Sequence, residues 1–263
     1  MRFVVCVKQV PNTTEIRIDP VTNTLIREGV ESILNPFDTY AIEEAVRLKE
    51  QYGGSVTAIC MGPPQAEETL REAVSLGVDE IILLSDRRFA GADTWATSLT
   101  LAAAIRKLGD YTLIFTGQQA IDGDTAQVGP GIAAHLGIRQ TCFVRRVEEL
   151  TECNVTLQRL MEDGYDTLKL KLPAVVTVVK EINTPRLPSL RGKRNARTAE
   201  MMVWNADDLG LDEKEIGLNG SPTQVVTIFT PKHDKATEKF AGSAEEAVDV
   251  IANKLDKITR GGA

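Results

Sequence analysis

The stretch GQQAIDGDTAQVGPG, Gly117 to Gly131, gathers four glycines, a proline and two aspartates where a strand-like run hands over to a helical one. The first N–H groups of a helix have no partner and carry partial positive charge, so the chemistry offered is anion binding, with phosphate the natural guest. Gly117, Gly123 and Gly129 would let backbone approach a ligand with no Cβ in the way, and Thr125 and Gln127 could add neutral hydrogen bonds. A plainer reading makes Asp122 and Asp124 helix N-caps and Gly117 a strand-end kink. No G-x-G-x-x-G follows the first strand and no G-x-x-x-x-G-K-[ST] occurs, which excludes a standard Rossmann fingerprint and a P-loop. The pattern supports a nucleotide without identifying it.

Other chemistries have little material. Cys6, Cys60, Cys142 and Cys153 form no C-x-x-C pair and read as reduced thiols of a cytoplasmic protein. With His135 and His233 the only histidines, no metal site and no histidine-based catalytic dyad is expected. Thirty basic against thirty-seven acidic residues give a net charge of -7, which argues against nucleic acid and anionic lipid as partners. The apolar start MRFVVCVKQVP is too short for a signal peptide. No run approaches the roughly 18 apolar residues of a membrane span.

The elements that must position the turn follow from periodicity. RFVVCVKQV (2–10) reads as a strand, and EIRIDPVTNTLIRE as a hairpin turning at Pro20 to Asn23. Asn35-Pro36 opens a helix, Asn as N-cap and Pro at the first position, with Ile42, Ala45, Val46 and Leu48 as its buried stripe. SVTAICMG (55–62), DEIILLSD (79–86) and YTLIFTG (111–117) read as strands separated by helices, the second capped by Asp93, and a further helix spans about Asp124 to Leu136. Such alternation implies right-handed crossovers and a doubly wound, mostly parallel α/β sheet. After Cys142, FVRRVEEL, NVTLQRLM, DTLKLKL and AVVTVVK have no helices between them and should add antiparallel strands. EINTPRLPSLRGKRNARTAE (181–200) reads as a long exposed basic loop, and SAEEAVDVIANKLDKI (243–258) as an amphipathic helix with Ala247, Val250, Ile251 and Leu255 on one face. The expected division is an α/β nucleotide-binding domain over 1–180, the loop over 181–200, and a C-terminal arm over 201–263.

Ligands of open α/β sheets sit outside the carboxyl ends of the strands. CVKQVP (6–11), NPFD (35–38), CMGPP (60–64) and the glycine-rich turn all fall there.

In this order and at these intervals, CVKQVP, NPFDTYAIEEAVRLKE, CMGPPQAEETLREAVSLGVDE, GADTWAT and GQQAIDGDTAQVGP resemble the β (small) subunit of electron-transfer flavoproteins, over nearly the whole chain. QAIDGDTAQ is the most specific piece. The resemblance implies an adenine-nucleotide hydrolase-like α/β fold and an αβ heterodimer. It implies a structural AMP in the housekeeping branch, and in the electron-bifurcating branch a complete FAD that takes a hydride from NADH. DGDTAQVGP and SPTQV (221–225) are similar to the bifurcating branch, in which electrons divide between ferredoxin or flavodoxin and, through the α-subunit FAD, an acyl-CoA dehydrogenase reducing an enoyl-CoA. By the same resemblance Cys6 lies beside the adenine, Asn35, Pro36, Phe37 and Asp38 line the adenosine pocket, and Met61 and Thr94 face the nucleotide. Gly117, Gln118, Gln119, Ala120, Ile121, Asp122, Gly123, Asp124, Thr125, Ala126, Gln127 and Val128 wrap the phosphates. Leu190 corresponds to the leucine that anchors the dehydrogenase, with Arg186 and Arg191 at its rim. No catalytic acid, base or nucleophile is expected, because the cofactor carries the redox chemistry. The alternatives are a housekeeping β subunit holding AMP and a stand-alone nucleotide-binding regulator.

Overall fold

A computed structural model describes residues 1–12, 32–226 and 239–260. The expected hairpin at Pro20 to Asn23 lies outside them. Contacts divide the chain into one unit over Met1–Val226 and a second over Thr227–Ala263.

In the first unit the elements run β1 (Arg2–Val7), β2 (Gln9–Pro11), β3 (Ser32–Leu34), α1 (Pro36–Tyr52), β4 (Ser55–Met61), α2 (Glu67–Ser75), β5 (Glu80–Leu84) and α3 (Thr94–Leu108). They continue with β6 (Leu113–Gly117), α4 (Val128–Leu136), β7 (Arg139–Leu150), β8 (Asn154–Leu160), β9 (Tyr165–Lys171), β10 (Ala174–Val178), α5 (Leu190–Thr198), β11 (Met201–Trp204) and α6 (Ala206–Leu209). The large sheet has the order β11-β5-β4-β1-β6-β10-β7-β8-β9. From β11 to β7 all neighbours are parallel, and β7, β8 and β9 are antiparallel. The doubly wound, mostly parallel sheet with antiparallel strands added is therefore the observed fold.

Alternation along β1 sorts its side chains. Phe3, Val5 and Val7 join the core beneath α1, α2 and α5, whereas Val4 and Cys6 join the core beneath α3 and α4. Burial on both faces is why these strands read as continuous apolar runs. The stripe of α1, Ile42, Ala45, Val46 and Leu48, is fully inside. Asp93 caps α3 as expected, its carboxylate accepting from the N–H groups of Trp95 and Ala96.

Two expected boundaries move. The helix after the turn starts at Val128 instead of Asp124, because Asp124 and Ala126 hold φ of 52° and 55°, outside the helical range. Residues 181–200 are not all loop: Leu190–Thr198 is helical. Its start is capped by Ser189, whose hydroxyl accepts from Gly192 N–H at 2.9 Å, and Ala196 is buried. Arg71 of α2 donates to the Ala196 carbonyl. A helix held by one buried alanine and backbone contacts shows almost no apolar periodicity, which is why sequence patterning misses it. After it, β11 pairs with β5, so residues 201–226 stay with the sheet.

In the second unit, α7 (Ala244–Arg260) matches the expected amphipathic helix. Ser243 and Glu246 cap its start reciprocally, Ser243 N–H to the Glu246 carboxylate at 2.8 Å and Glu246 N–H to the Ser243 hydroxyl at 3.3 Å.

Candidate functional site

The sheet order puts β4 on one side of β1 and β6 on the other, so successive crossovers leave β1 in opposite directions. A crevice opens at such a reversal, outside the carboxyl ends of the two strands. Here those ends are Val7, followed by Lys8, and Gly117, followed by the glycine-rich turn.

Side chains from the first turn of α1 bind the two strand ends together. The Asp38 carboxylate accepts from Lys8 N–H at 2.8 Å and from Gly117 N–H at 3.2 Å. Asn35 is not the side-chain N-cap its position suggests, since no such bond is made to α1. Its amide instead donates to the Gln119 carbonyl at 2.9 Å, and its oxygen accepts from Ile121 N–H at 3.2 Å. Lys8 then reaches over to Asp122, with Nζ at 2.6 and 2.8 Å from the carboxylate oxygens. Lys8 escaped the sequence reading because a lone lysine at a strand end carries no signal until Asp122 is brought opposite.

The turn has its own internal order. Gln118 N–H is held by the Val178 carbonyl at 2.9 Å and Asp124 N–H by the Ala120 carbonyl at 2.9 Å. The Asp124 carboxylate accepts from the Gln119 side-chain amide. Both acids are thus engaged by the protein. Ala126 at φ 55° is followed by Gln127 at φ -100°, ψ -21°. A left-handed residue followed by a right-handed one turns successive N–H groups into one concavity, an anion-binding nest. Among the described residues, the N–H groups of Gly123, Thr125, Ala126, Gln127, Val128 and Gly129 donate to no protein acceptor. They lead directly into the first turn of α4, where the helix adds partial positive charge. The donor set therefore fits a phosphate-bearing nucleotide.

The glycines divide by task. A Cβ on Gly117 would come 2.5 Å from Asp38 Oδ1 and 2.7 Å from the Phe37 backbone, and one on Gly129 would come 2.5 Å from Thr177 Cγ2. Those two are needed for packing against the chain itself. At Gly123, its chain neighbours apart, no atom of the described residues lies within 4 Å of the Cβ position.

The other expected site residues are distributed around this centre. Cys6 is almost fully buried in the core on the α3 and α4 side, its thiol pKa raised by burial and then by the nearby Asp38 carboxylate. Met61 ends β4, the neighbour of β1, half-buried against the same core. Pro36 is the first residue of α1, and Phe37 packs beside Gly117. Thr94, first in α3, donates to Gln127 Oε1 at 2.9 Å and so ties α3 to the turn. No group of His, Cys, Asp and Glu that could hold a metal occurs among the described residues.

Arg186 and Leu190 belong to a different surface. Leu190 and Leu187 are each 89% exposed. Arg186 is not the open rim cation that its place in the segment suggests. Its guanidinium is gripped by Glu43, at 2.8 and 3.1 Å, and by Glu50, at 2.6 and 2.9 Å, both on α1. These charge-assisted bonds fix the segment to the helix. Arg191 is exposed and makes no ion pair among the described residues.

Comparison with known proteins places this geometry. The electron transfer flavoprotein domain matches residues 22–209. The electron transfer flavoprotein subunit beta of Thermoanaerobacterium thermosaccharolyticum is 52% identical over 97% of this chain and 98% of its own length. Subunit CarD of the caffeyl-CoA reductase-Etf complex of Acetobacterium woodii is 47% identical over 97% and 98% of the two chains. Protein FixA of Sinorhizobium fredii is 44% identical over 97% and 92%.

Proposed function

This chain belongs to the electron transfer flavoprotein family, as a β subunit that serves electron transfer beside an α subunit, and from that premise we propose that its own nucleotide is a complete FAD in an electron-bifurcating complex. The carrying observation is the run of six unengaged N–H groups over 123–129, at a turn whose two acids are already paired and whose Gly123 opens onto free space. Spread over seven residues, these donors leave room for the oxygens of a diphosphate. FAD supplies the redox chemistry when bound, taking a hydride from NADH and releasing the electrons singly. The chain's residues bind and orient it: the 126–128 nest holds the diphosphate, the crevice between β1 and β6 takes the adenosine, and Asn35, Asp38 and Lys8 keep the turn in place.

The acceptors in this reading would be a low-potential carrier, ferredoxin or flavodoxin, and, by way of the α subunit and its FAD, an acyl-CoA dehydrogenase acting as an enoyl-CoA reductase. A relative named for a caffeyl-CoA reductase complex supports an acceptor of that class. No described helix is long and apolar enough to cross a membrane.

Releasing the nucleotides of the purified αβ complex and separating them by chromatography tests the assignment. The expected result is two FAD per heterodimer and bleaching by NADH when an acceptor is present. One FAD with one AMP overturns it.

In this reading Leu190 anchors the dehydrogenase. Filling a partner pocket with an 89% exposed leucine gives an expected loss of roughly thirtyfold in affinity, about 2 kcal/mol, for Leu190→Ala. Reversing Arg191 should chiefly slow association. Replacing Arg186 should loosen the segment itself, because its partners are Glu43 and Glu50. Titrating the dehydrogenase against each variant, with NADH reduction followed in parallel, checks all three. Equal affinities for wild type and Leu190→Ala would take the segment off the docking surface.

A further inference from the structure

Beside the turn lies an open cleft of about 510 Å³ lined by Trp95, Lys214, Asn219, Gly220, Ser221 and Pro222. We propose that Trp95 is the stacking wall of a subsite for the second, non-adenine ring of the dinucleotide whose diphosphate lies on the 126–128 turn. The inference rests on the dinucleotide reading above and adds to it the place of the ring.

Position carries the first part of the case. Trp95 directly follows Thr94, and Thr94 is hydrogen-bonded to Gln127, the middle residue of the nest. A ligand seated on the nest therefore has the cleft as its immediate neighbour. The second part is the state of the indole. Trp95 is 54% exposed, yet it is not loose, because His135 meets it edge-on with ring centroids 4.5 Å apart. A large aromatic face held in place and left uncovered is a stacking platform for a planar ring.

The rest of the lining is built in advance. Asp93 N–H donates to the Ser221 hydroxyl at 2.8 Å, and that hydroxyl donates to the Gly217 carbonyl at 2.6 Å. The Asp93 carboxylate, besides capping α3, accepts from the N–H and hydroxyl of Thr223 at 3.0 and 2.8 Å. Residues 217–223 are thereby fastened to the start of α3, so little ordering is left for a ligand to impose. Lys214 and Asn219 bring hydrogen-bond donors, and Lys214 makes no ion pair among the described residues. Donors around an aromatic wall suit a ring edged with carbonyl oxygens, which an isoalloxazine has and adenine lacks.

The consequence separates two ligands that share an adenosine phosphate. AMP has no second ring, so it gains nothing from Trp95. In the αβ complex stripped of its β-side nucleotide, Trp95→Ala should bind FAD about tenfold more weakly, about 1.4 kcal/mol, and bind AMP as wild type does. Trp95→Phe should recover most of the loss. The backbone N–H that Asp93 caps survives both substitutions. FAD binding that is equal in wild type and Trp95→Ala overturns the proposal alone. An equal loss for FAD and AMP overturns it as well, since Trp95 would then merely support the turn. Wild-type complex that binds AMP and not FAD removes both this proposal and the dinucleotide reading.

Discussion

Replacing Gly123 by aspartate should empty the β-side flavin site by about a hundredfold in affinity, whereas replacing it by alanine should change affinity by less than about threefold. Among the described residues nothing beyond its chain neighbours lies within 4 Å of the Cβ position, and φ is not in the left-handed region, so size and backbone conformation both tolerate a methyl group. Charge is another matter. A carboxylate about 4 Å from a phosphate costs about 4 kcal/mol at an effective dielectric of 20. Gly123 is exposed, so screening reduces this to roughly 2.7 kcal/mol, the hundredfold expected. Among the described residues Lys8 is committed to Asp122, and the side-chain amide of Gln119 is used on Asp124. The measurement is FAD released per complex, with the α-side flavin as internal standard. Unchanged occupancy in the aspartate variant would reduce the turn to a helix cap. Loss in both variants would mean that space, not charge, governs it.

The second large effect is a pH-dependence of stability carried by Asp38. Burial pushes its carboxyl up to about 7, against the opposing pull of Asn35, of the Lys8 and Gly117 N–H groups and of the Lys8 charge. In the unfolded chain the group titrates near 3.8. Below about pH 4 both states hold the proton. Between about 4 and 7 the unfolded chain releases it while the folded chain keeps it, so ionisation favours unfolding and stability falls as pH rises. Above about 7 the dependence is spent. At about 1.36 kcal/mol per pH unit the whole effect approaches roughly 4 kcal/mol. Asp38→Asn should remove the slope in that window. It should also lower stability by a pH-independent amount, because an amide cannot accept from both N–H groups as the carboxylate does. Denaturant midpoints from pH 4 to 8 for the two proteins test this through their difference, which cancels contributions such as Asp86, held low by Arg88. A difference that does not vary with pH would mean that Asp38 ionises in the ordinary range.

Continuous apolar runs such as Phe3 to Val7 and the stripe of α1 were legible in the sequence because they report burial directly. The cap at Asp93 was legible because its partners are its next neighbours along the chain. For the same reason glycine, acid and helix start together marked the turn as a candidate anion site. The residues that bring the site into being were not legible in role. Asn35 looks like an N-cap in its local context, and it becomes a cross-link to Gln119, 84 positions away, only because β6 is laid beside β1. Gly117 and Gly129 look like openings for a ligand, yet the close approach of Phe37, Asp38 and Thr177 is what excludes their side chains. The basic segment looks like loop, and a helix forms there because Ser189 caps its start and the Arg71 guanidinium of α2 bonds the Ala196 carbonyl. By itself the sequence determined the elements, their apolar faces and the family motifs, all properties of residues a few positions apart. Strand order, the crevice at the β1 and β6 ends, and the partners of Lys8, Asn35, Asp38 and Arg186 were decided by tertiary structure alone, because a side chain acquires a distant partner only once the strands between them have been ordered.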